Sequence, residues 1–212
     1  MMKDILDFSS RDLLLGYTLG IFPMANSADD DSVMWVSPKR RGIIPLENLH
    51  ISKSLRRKLR SKKYHSTFNK DFFKVVSHCR NRKETWINNI LVDKYIELHK
   101  NKFAHSVEIW LAEELVGGLF GVSIGACFFG ESMFSLKNDG SKLALVSIIN
   151  RLKSSGYKLF DTQFFTPHLG SMGGIEISKT KYEKILKANI TKNVKFQHDD
   201  YDKEFLFAPK KN

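Results

Sequence analysis

The sequence predicts an α/β fold, a mixed sheet with helices packed on it. Segments of helical and of strand period alternate along the chain instead of falling into separate blocks. The stretch Leu115 to Ser135, LVGGLFGVSIGACFFGESMFS, is largely apolar and breaks near Gly125, the pattern of two adjacent antiparallel buried strands. After an intervening helical segment, Leu159 to Phe164 returns as a further strand.

Taken in order, Ser9 with Asp12 forms a capping box ahead of Leu13, Leu14, Tyr17 and Leu19, so a first helix is expected over residues 10–19. Gly20 ends it, and Ile21, Phe22 and Pro23 turn the chain away. The loop Asn26 to Ser32, with three consecutive aspartates, reads as a solvated turn. In MWVSPKRRGIIPL (34–46) two prolines bracket Arg40, Arg41 and Gly42 and favour an extended connection. Ser52 is a candidate N-cap for a helix that turns Leu55 and Leu59 inward.

Tyr64 to Phe68 reads as a strand, Phe72 to His78 as a helix, and Ile90 to Leu98 as an amphipathic helix, with Trp86 between the two helices as a core anchor. His105 to Trp110 is a strand and Glu113-Glu114 a turn, and the two buried strands follow. Ser141 to Lys153 is expected as a helix closed by Gly156, Thr166 to Gly174 as irregular, Ile175 to Ile177 as extended and residues 180–188 as a last helix before a basic, Phe-containing tail.

Composition limits the possible functions. The chain has 212 residues, 42% of them hydrophobic, enough for a real core and against disorder. Against 23 acidic residues stand 34 Lys and Arg, a formal net charge of +11, which favours a polyanionic partner such as nucleic acid or an anionic membrane surface. Base composition of a genome can produce the same excess. Cys79 and Cys127 are far apart without metal-like spacing, as in a reducing compartment. The amino terminus, MMKDILDFSSRD, has no signal-peptide apolar run, and no segment has the roughly 18 apolar residues of a membrane span, so a soluble cytoplasmic protein is expected.

Seven basic residues fall between Lys53 and Lys63 with no acid among them. Such a block is either a solvated helix face or, because like charges at i, i+4 repel, a surface that meets phosphates.

Several familiar site patterns are missing: a Gly-rich phosphate loop, HExxH, a CxxC pair and a serine nucleophile elbow. His99 and His105 share no helix face, and Cys127 reads as a small core hydrophobe. Two polar features stand out. Glu131 is a lone carboxylate in a buried apolar stretch, which needs a physical reason. Asp161 and Gln163, at i and i+2 of a strand, project to one face. Side by side they either orient an amine or hydroxyl or form a buried polar cluster that ties the strand to the following loop.

At this point the residues carry a resemblance. GYTLGIFPM (16–24), MWVSPKRRGIIPL (34–46), TWI (85–87), HSVEIW (105–110), LVGGLFGV (115–122), GESMFS (130–135), SKLAL (141–145) and LFDTQFFTPHLGSMGGIEI (159–177) resemble, in order, the blocks of leucyl/phenylalanyl-tRNA-protein transferases. The resemblance implies an acetyltransferase-like (GNAT) fold behind a small amino-terminal domain. For this chain that places the small domain at residues 1–63, with the basic helix, and the transferase domain at 64–212. The implied enzyme moves Leu or Phe, and less well Met, from aminoacyl-tRNA to the amine of proteins beginning with Lys or Arg, creating an N-degron.

Carried over residue by residue, the family's catalytic Asp and Gln match Asp161 and Gln163, and its GESMFS carboxylate matches Glu131. The wall of the aminoacyl pocket matches Leu119, Met133 and Leu145, and tryptophans near the terminal adenosine and substrate cleft match Trp35 and Trp86. The tRNA-contacting surface matches Arg56, Arg57, Lys58 and Arg60. The chain departs from the family in three places. An extended leader with a Gly-rich turn, found in many members, is not expected ahead of the first helix, Asp139-Gly140 stands where Asn-Ala is usual, and SKTKY (178–182) replaces a more arginine-rich stretch.

The mechanism this suggests is attack of an unprotonated α-amine on the ester carbonyl, with Gln163 holding the amine and Asp161 orienting Gln163, and with no metal or diffusible cofactor. Glu131 either shapes the pocket or assists the terminal adenosine. The partners implied are aminoacyl-tRNA and proteins with amino-terminal Lys or Arg, the protein acting as a monomer away from membranes. Two alternatives remain: the same fold transferring Arg or accepting acidic amino termini, and a tRNA-binding protein without turnover.

Overall fold

The computed structural model describes residues 9–82 and 84–196 and the backbone of 204–205. The basic tail expected from the sequence lies largely outside them. Helix α1 (Ser10–Thr18) starts at the Ser9–Asp12 capping box, in which both reciprocal hydrogen bonds form. A two-stranded ribbon follows, β1 (Phe22–Met24) against β2 (Met34–Val36). The ring of Trp35, on β2, lies over Gly16, where a Cβ would come within 2.2 Å of it, so only glycine lets the ribbon close on α1.

The remaining elements build one large sheet with helices on both faces. In chain order they are β3 (Arg40–Ile43), α2 (Lys53–Arg60), β4 (Tyr64–Phe68), α3 (Phe72–Arg80), α4 (Asn89–Lys100), β5 (Ala104–Leu111), β6 (Glu114–Ile124), β7 (Cys127–Ser135), α5 (Gly140–Ser154), β8 (Leu159–Gln163), α6 (Pro167–Ser171), β9 (Ile175–Ser178), α7 (Lys179–Asn189) and β10 (Glu204–Phe205). The spatial order is β10-β4-β5-β6-β7-β8-β3-β9. All neighbours are antiparallel except β7 and β8, which α5 joins as a parallel pair. The mixed α/β sheet with helices packed on it is therefore as expected. β3, from the amino-terminal segment, is a strand of this sheet, paired with β8 on one side and β9 on the other.

Side chains alternate across the sheet into two cores. On one face Leu13 and Tyr17 of α1, Val75 and Val76 of α3, and Leu91 and Tyr95 of α4 pack on Phe120 and Phe129. On the other, α5 buries most of its length, and Leu55 and Leu59 of α2 pack into the same cluster. The cap expected at Ser52 forms, its side chain accepting from the backbone of the first turn, and Asn88 and Ser178, which the sequence did not single out, cap α4 and α7 in the same way.

Two local expectations are corrected. Thr166 to Gly174 is not wholly irregular: Thr166 caps α6, whose first residue is Pro167, the position where proline's missing N–H costs nothing. The turn between β5 and β6 is Ala112-Glu113, with Ala112 left-handed at φ 52°, and Glu114 already belongs to β6. No helix among the described residues is long and apolar enough to cross a membrane.

Candidate active site

The parallel pairing of β7 and β8 is short. Cys127, Phe128 and Phe129 face Leu159, Phe160 and Asp161, and beyond these the strands part. Every polar residue singled out on these two strands lies at that opening.

Glu131 owes its direction to a β-bulge. Ser132 pairs with Phe120 and Gly130 with Gly121, so Glu131 is the extra residue on β7. The bulge lets Glu131 face the α1/α4 core, where it accepts hydrogen bonds from Tyr17 (2.7 Å), Tyr95 (2.8 Å) and Gln163 Nε2 (3.0 Å). Met133, two residues on, points to the opposite core. Burial pushes the Glu131 carboxyl up to about 7, against the three donors that favour its ionised form. Burial also raises both tyrosines well above their ordinary range. Their hydroxyl oxygens are 3.2 Å apart, so a proton on Glu131 can be accommodated by turning one hydroxyl toward the other.

Asp161 is fully buried and projects from β8 on the same face as Gln163, as the spacing predicts. Arg41 forms a two-pronged pair with it, Nε at 2.9 Å and Nη2 at 2.7 Å, and Tyr182 donates at 2.7 Å. The guanidinium lies between the rings of Phe22 and Tyr182, 4.6 and 4.4 Å from their centroids. Removing one partner of such a pair would strand a buried charge at a cost of about 3–5 kcal/mol.

The remaining bond of Asp161 goes to the backbone N–H of Gln163, 2.8 Å away. That contact closes a residue held at φ 64°, in the left-handed region that a side chain makes costly. Gly42 of β3 passes this exit so closely that a Cβ would lie 2.5 Å from the backbone of Phe164.

The two carboxylates thus divide the work differently from the sequence-based expectation. Asp161 does not orient the Gln163 side chain; it fixes its backbone. Glu131 fixes the amide itself. An ionised carboxylate only accepts, so the NH₂ side of the amide faces Glu131 and its oxygen is directed away.

On the α5 side of the same opening is a cavity of about 80 Å³. Leu119, Met133 and Leu145 line it, together with Glu131, Phe160 and Leu169. Leu119 and Met133 are direct partners across β6 and β7, and Leu145 closes the cavity from α5. Cys127 is buried near the pair, its thiol pushed up to about 12 by burial, in keeping with a core role.

The other expected residues lie further out. Trp35 leans on Gly16, one residue before Tyr17. Trp86 packs half-buried on the α1/α4 core, and its carbonyl accepts from Ala25 N–H. On α2, Arg57 and Arg60 are exposed and Arg56 is half-buried. Lys58 turns away from them to Asp139 and the carbonyl of Asn138, both at 2.8 Å. Asp139 also pairs with Lys142, so it joins α2 to the start of α5.

Sequence reasoning missed Tyr17, Tyr95, Arg41 and Tyr182 as members of the site. The first two are core-facing residues of amphipathic helices and look like packing. Arg41 had one available signal, an arginine on a strand face it shares with Ile43, which is an unusual place for a charge.

Residues 7–39 match the family model described as leucyl/phenylalanyl-tRNA protein transferase N-terminal domain, and residues 43–187 the model described as leucyl/phenylalanyl-tRNA protein transferase. A leucyl/phenylalanyl-tRNA–protein transferase of Ruegeria sp. (strain TM1040) is 54% identical over 178 residues, 84% of this chain and 85% of that one. One of Cereibacter sphaeroides (strain KD131) is 48% identical over 191 residues, 90% and 89% of the two chains. Among solved structures, that of L-PGS from Bacillus licheniformis overlaps 62% of this chain and 48% of its own, with a TM-score of 0.44 and 15% identity.

Proposed function

Since this chain belongs to the leucyl/phenylalanyl-tRNA protein transferase family, a family of aminoacyltransferases, we propose that it transfers Leu or Phe from aminoacyl-tRNA to the amino terminus of proteins beginning with Lys or Arg. The modified amino terminus would serve as an N-degron in the cytoplasm. One observation carries this reading: a small apolar cavity lined by Leu119, Met133 and Leu145 reaches Glu131, whose carboxylate holds the Gln163 amide. A branched or aromatic side chain in the cavity would bring its ester carbonyl to the polar groups at the rim.

In the reaction the amine nitrogen bonds to the ester carbonyl carbon, and the bond to the 3′ oxygen of the terminal adenosine breaks. The nitrogen loses one proton and the departing oxygen gains one. An amine attacks an ester readily once aligned, so positioning supplies much of the acceleration and the reading requires neither metal nor cofactor. Gln163 would accept a hydrogen bond from the amine through its side-chain oxygen and so aim the nitrogen lone pair. Glu131 and Asp161 keep that oxygen in place from two directions. Trp35 and Trp86 are the proposed neighbours of the terminal adenosine and the substrate cleft. Arg56, Arg57 and Arg60 are the proposed phosphate contacts, in a protein acting as a monomer.

Burying a Leu or Phe side chain yields about 1.5–3 kcal/mol, enough to select against small residues but not to exclude Met. The test is incubation with tRNAs charged with Leu, Phe, Met and Arg and with peptides beginning with Arg, Lys or Asp. Leu and Phe should appear on the Arg and Lys peptides. Arg on the Asp peptide, or tRNA binding without transfer, would overturn the reading.

A further inference from the structure

We propose that Arg41 is a positioning residue for aminoacyl transfer, closing a ring of hydrogen bonds that fixes Gln163 and makes the amino-terminal segment part of the reacting geometry. Arg41 lies between the two matched segments, 7–39 and 43–187, and in neither. The inference rests on the transferase reading above and adds to it the device that holds the amide.

The ring can be followed bond by bond. Arg41 Nη1 donates to the carbonyl of Gly20 at 3.0 Å, and its Nε and Nη2 hold Asp161. Asp161 accepts from the Gln163 backbone, and the Gln163 side chain donates to Glu131. Glu131 accepts from Tyr17, whose carbonyl in turn accepts from the N–H of Gly20. Tyr17 lies in the last turn of α1 and Gly20 just past its end, so the circuit leaves the amino-terminal segment, crosses β3, β8 and β7, and returns to it. Gln163 is gripped by two carboxylates, and each is anchored to that segment.

The guanidinium suits this place and an ammonium does not. It is 1% exposed, lies between two aromatic rings, and uses its fork on one carboxylate while a third nitrogen reaches a carbonyl. A lysine keeps the charge but has neither the fork nor the stacking plane. Because the N–H of the left-handed Gln163 donates to Asp161, beside the pairing of Gln163 with Gly42 of β3, release of Asp161 lets the amide drift while cavity and surface stay intact. A displacement of about 1 Å at a positioning group can cost about 100-fold in rate.

The test compares the full chain with Arg41→Ala and Arg41→Lys, after transfer by the unaltered protein has been established in the same assay. No transfer by the unaltered protein would sink the transferase reading and this inference with it; normal transfer isolates Arg41. For Arg41→Ala we expect kcat down about 100-fold with KM for aminoacyl-tRNA within about threefold, and partial recovery of kcat by millimolar guanidinium but not by ammonium at equal ionic strength. If Arg41→Ala does not fold, Arg41→Lys decides: kcat at least about 10-fold down with unchanged KM supports the role, and an unaltered kcat overturns it. Recovery of Arg41→Ala by any salt alike, or a kcat near that of the unaltered protein, also overturns it. Independently of turnover, hydrogen exchange at the Gln163 backbone amide should speed up in either variant.

Discussion

Gln163 and Glu131 stand on strands that have already parted, yet Nε2 of one reaches Oε1 of the other across 3.0 Å. The bond spans the opening and sets which side of the amide faces Glu131. Replacing Gln163 by Ala removes the acceptor; replacing it by Glu sets a second carboxyl against Glu131, and two such groups at that distance share one proton. Both variants should lower the transfer rate by about 100-fold at saturating aminoacyl-tRNA while tRNA binding stays unchanged. Single-turnover transfer measured beside a binding titration checks this, and a matching loss of binding would count against a role at the reacting centre.

Glu131 makes stability depend on pH in an unusual direction. Its folded pKa is about 7 against an ordinary 4.5, so between these values the folded chain binds the proton that the unfolded chain has released. Stability from this group is therefore greatest in acid and is lost as pH rises from about 4.5 to about 7, a difference of about 3 kcal/mol. Glu131→Gln has no such proton. Denaturant unfolding across that window should show the variant gaining on the unaltered protein by about that amount, whereas parallel pH curves would refute the assignment.

The cavity predicts selectivity. Leu119 and Met133 face each other across the strands and Leu145 forms the lid, so Met133→Ala lengthens the cavity without touching the polar rim. Competition between Phe-tRNA and Leu-tRNA should shift toward Phe by about 10-fold, the range open to one or two methylenes in an apolar pocket. Leu145→Phe fills the same space and should depress transfer of both, with tRNA affinity intact.

Much of this was legible because it is local. The capping serines fix where helices start, period 2 places Asp161 and Gln163 on one face, and the Leu55–Leu59 spacing turns α2 inward. What escaped depends on partners far apart in the chain: Tyr17 meets Glu131 across 114 residues and Arg41 meets Asp161 across 120. No periodicity marks such contacts. The bulge at Glu131 has the same character, since an extra residue becomes visible only when the register of the opposite strand is known. The parting of β7 and β8 likewise shows only once their short register, and the pairing of β3 on the far side of β8, are known.

The basic helix separates by geometry into charges that can meet phosphates and one that is already committed. Arg57 and Arg60 are exposed, whereas Lys58 is spent on Asp139 and the carbonyl of Asn138. Each phosphate neutralised contributes about 0.7–0.9 to the slope of log affinity against log salt. Arg57→Glu with Arg60→Glu should therefore flatten the tRNA-binding slope by about 1.5, while Lys58→Ala should leave it unchanged and cost up to about 1 kcal/mol of folding stability. The opposite pattern, a flattened slope in Lys58→Ala and none in the arginine pair, would mean that the Lys58–Asp139 bridge opens to the tRNA. In that case α2 meets the nucleic acid with the side facing α5 instead of the side facing solvent.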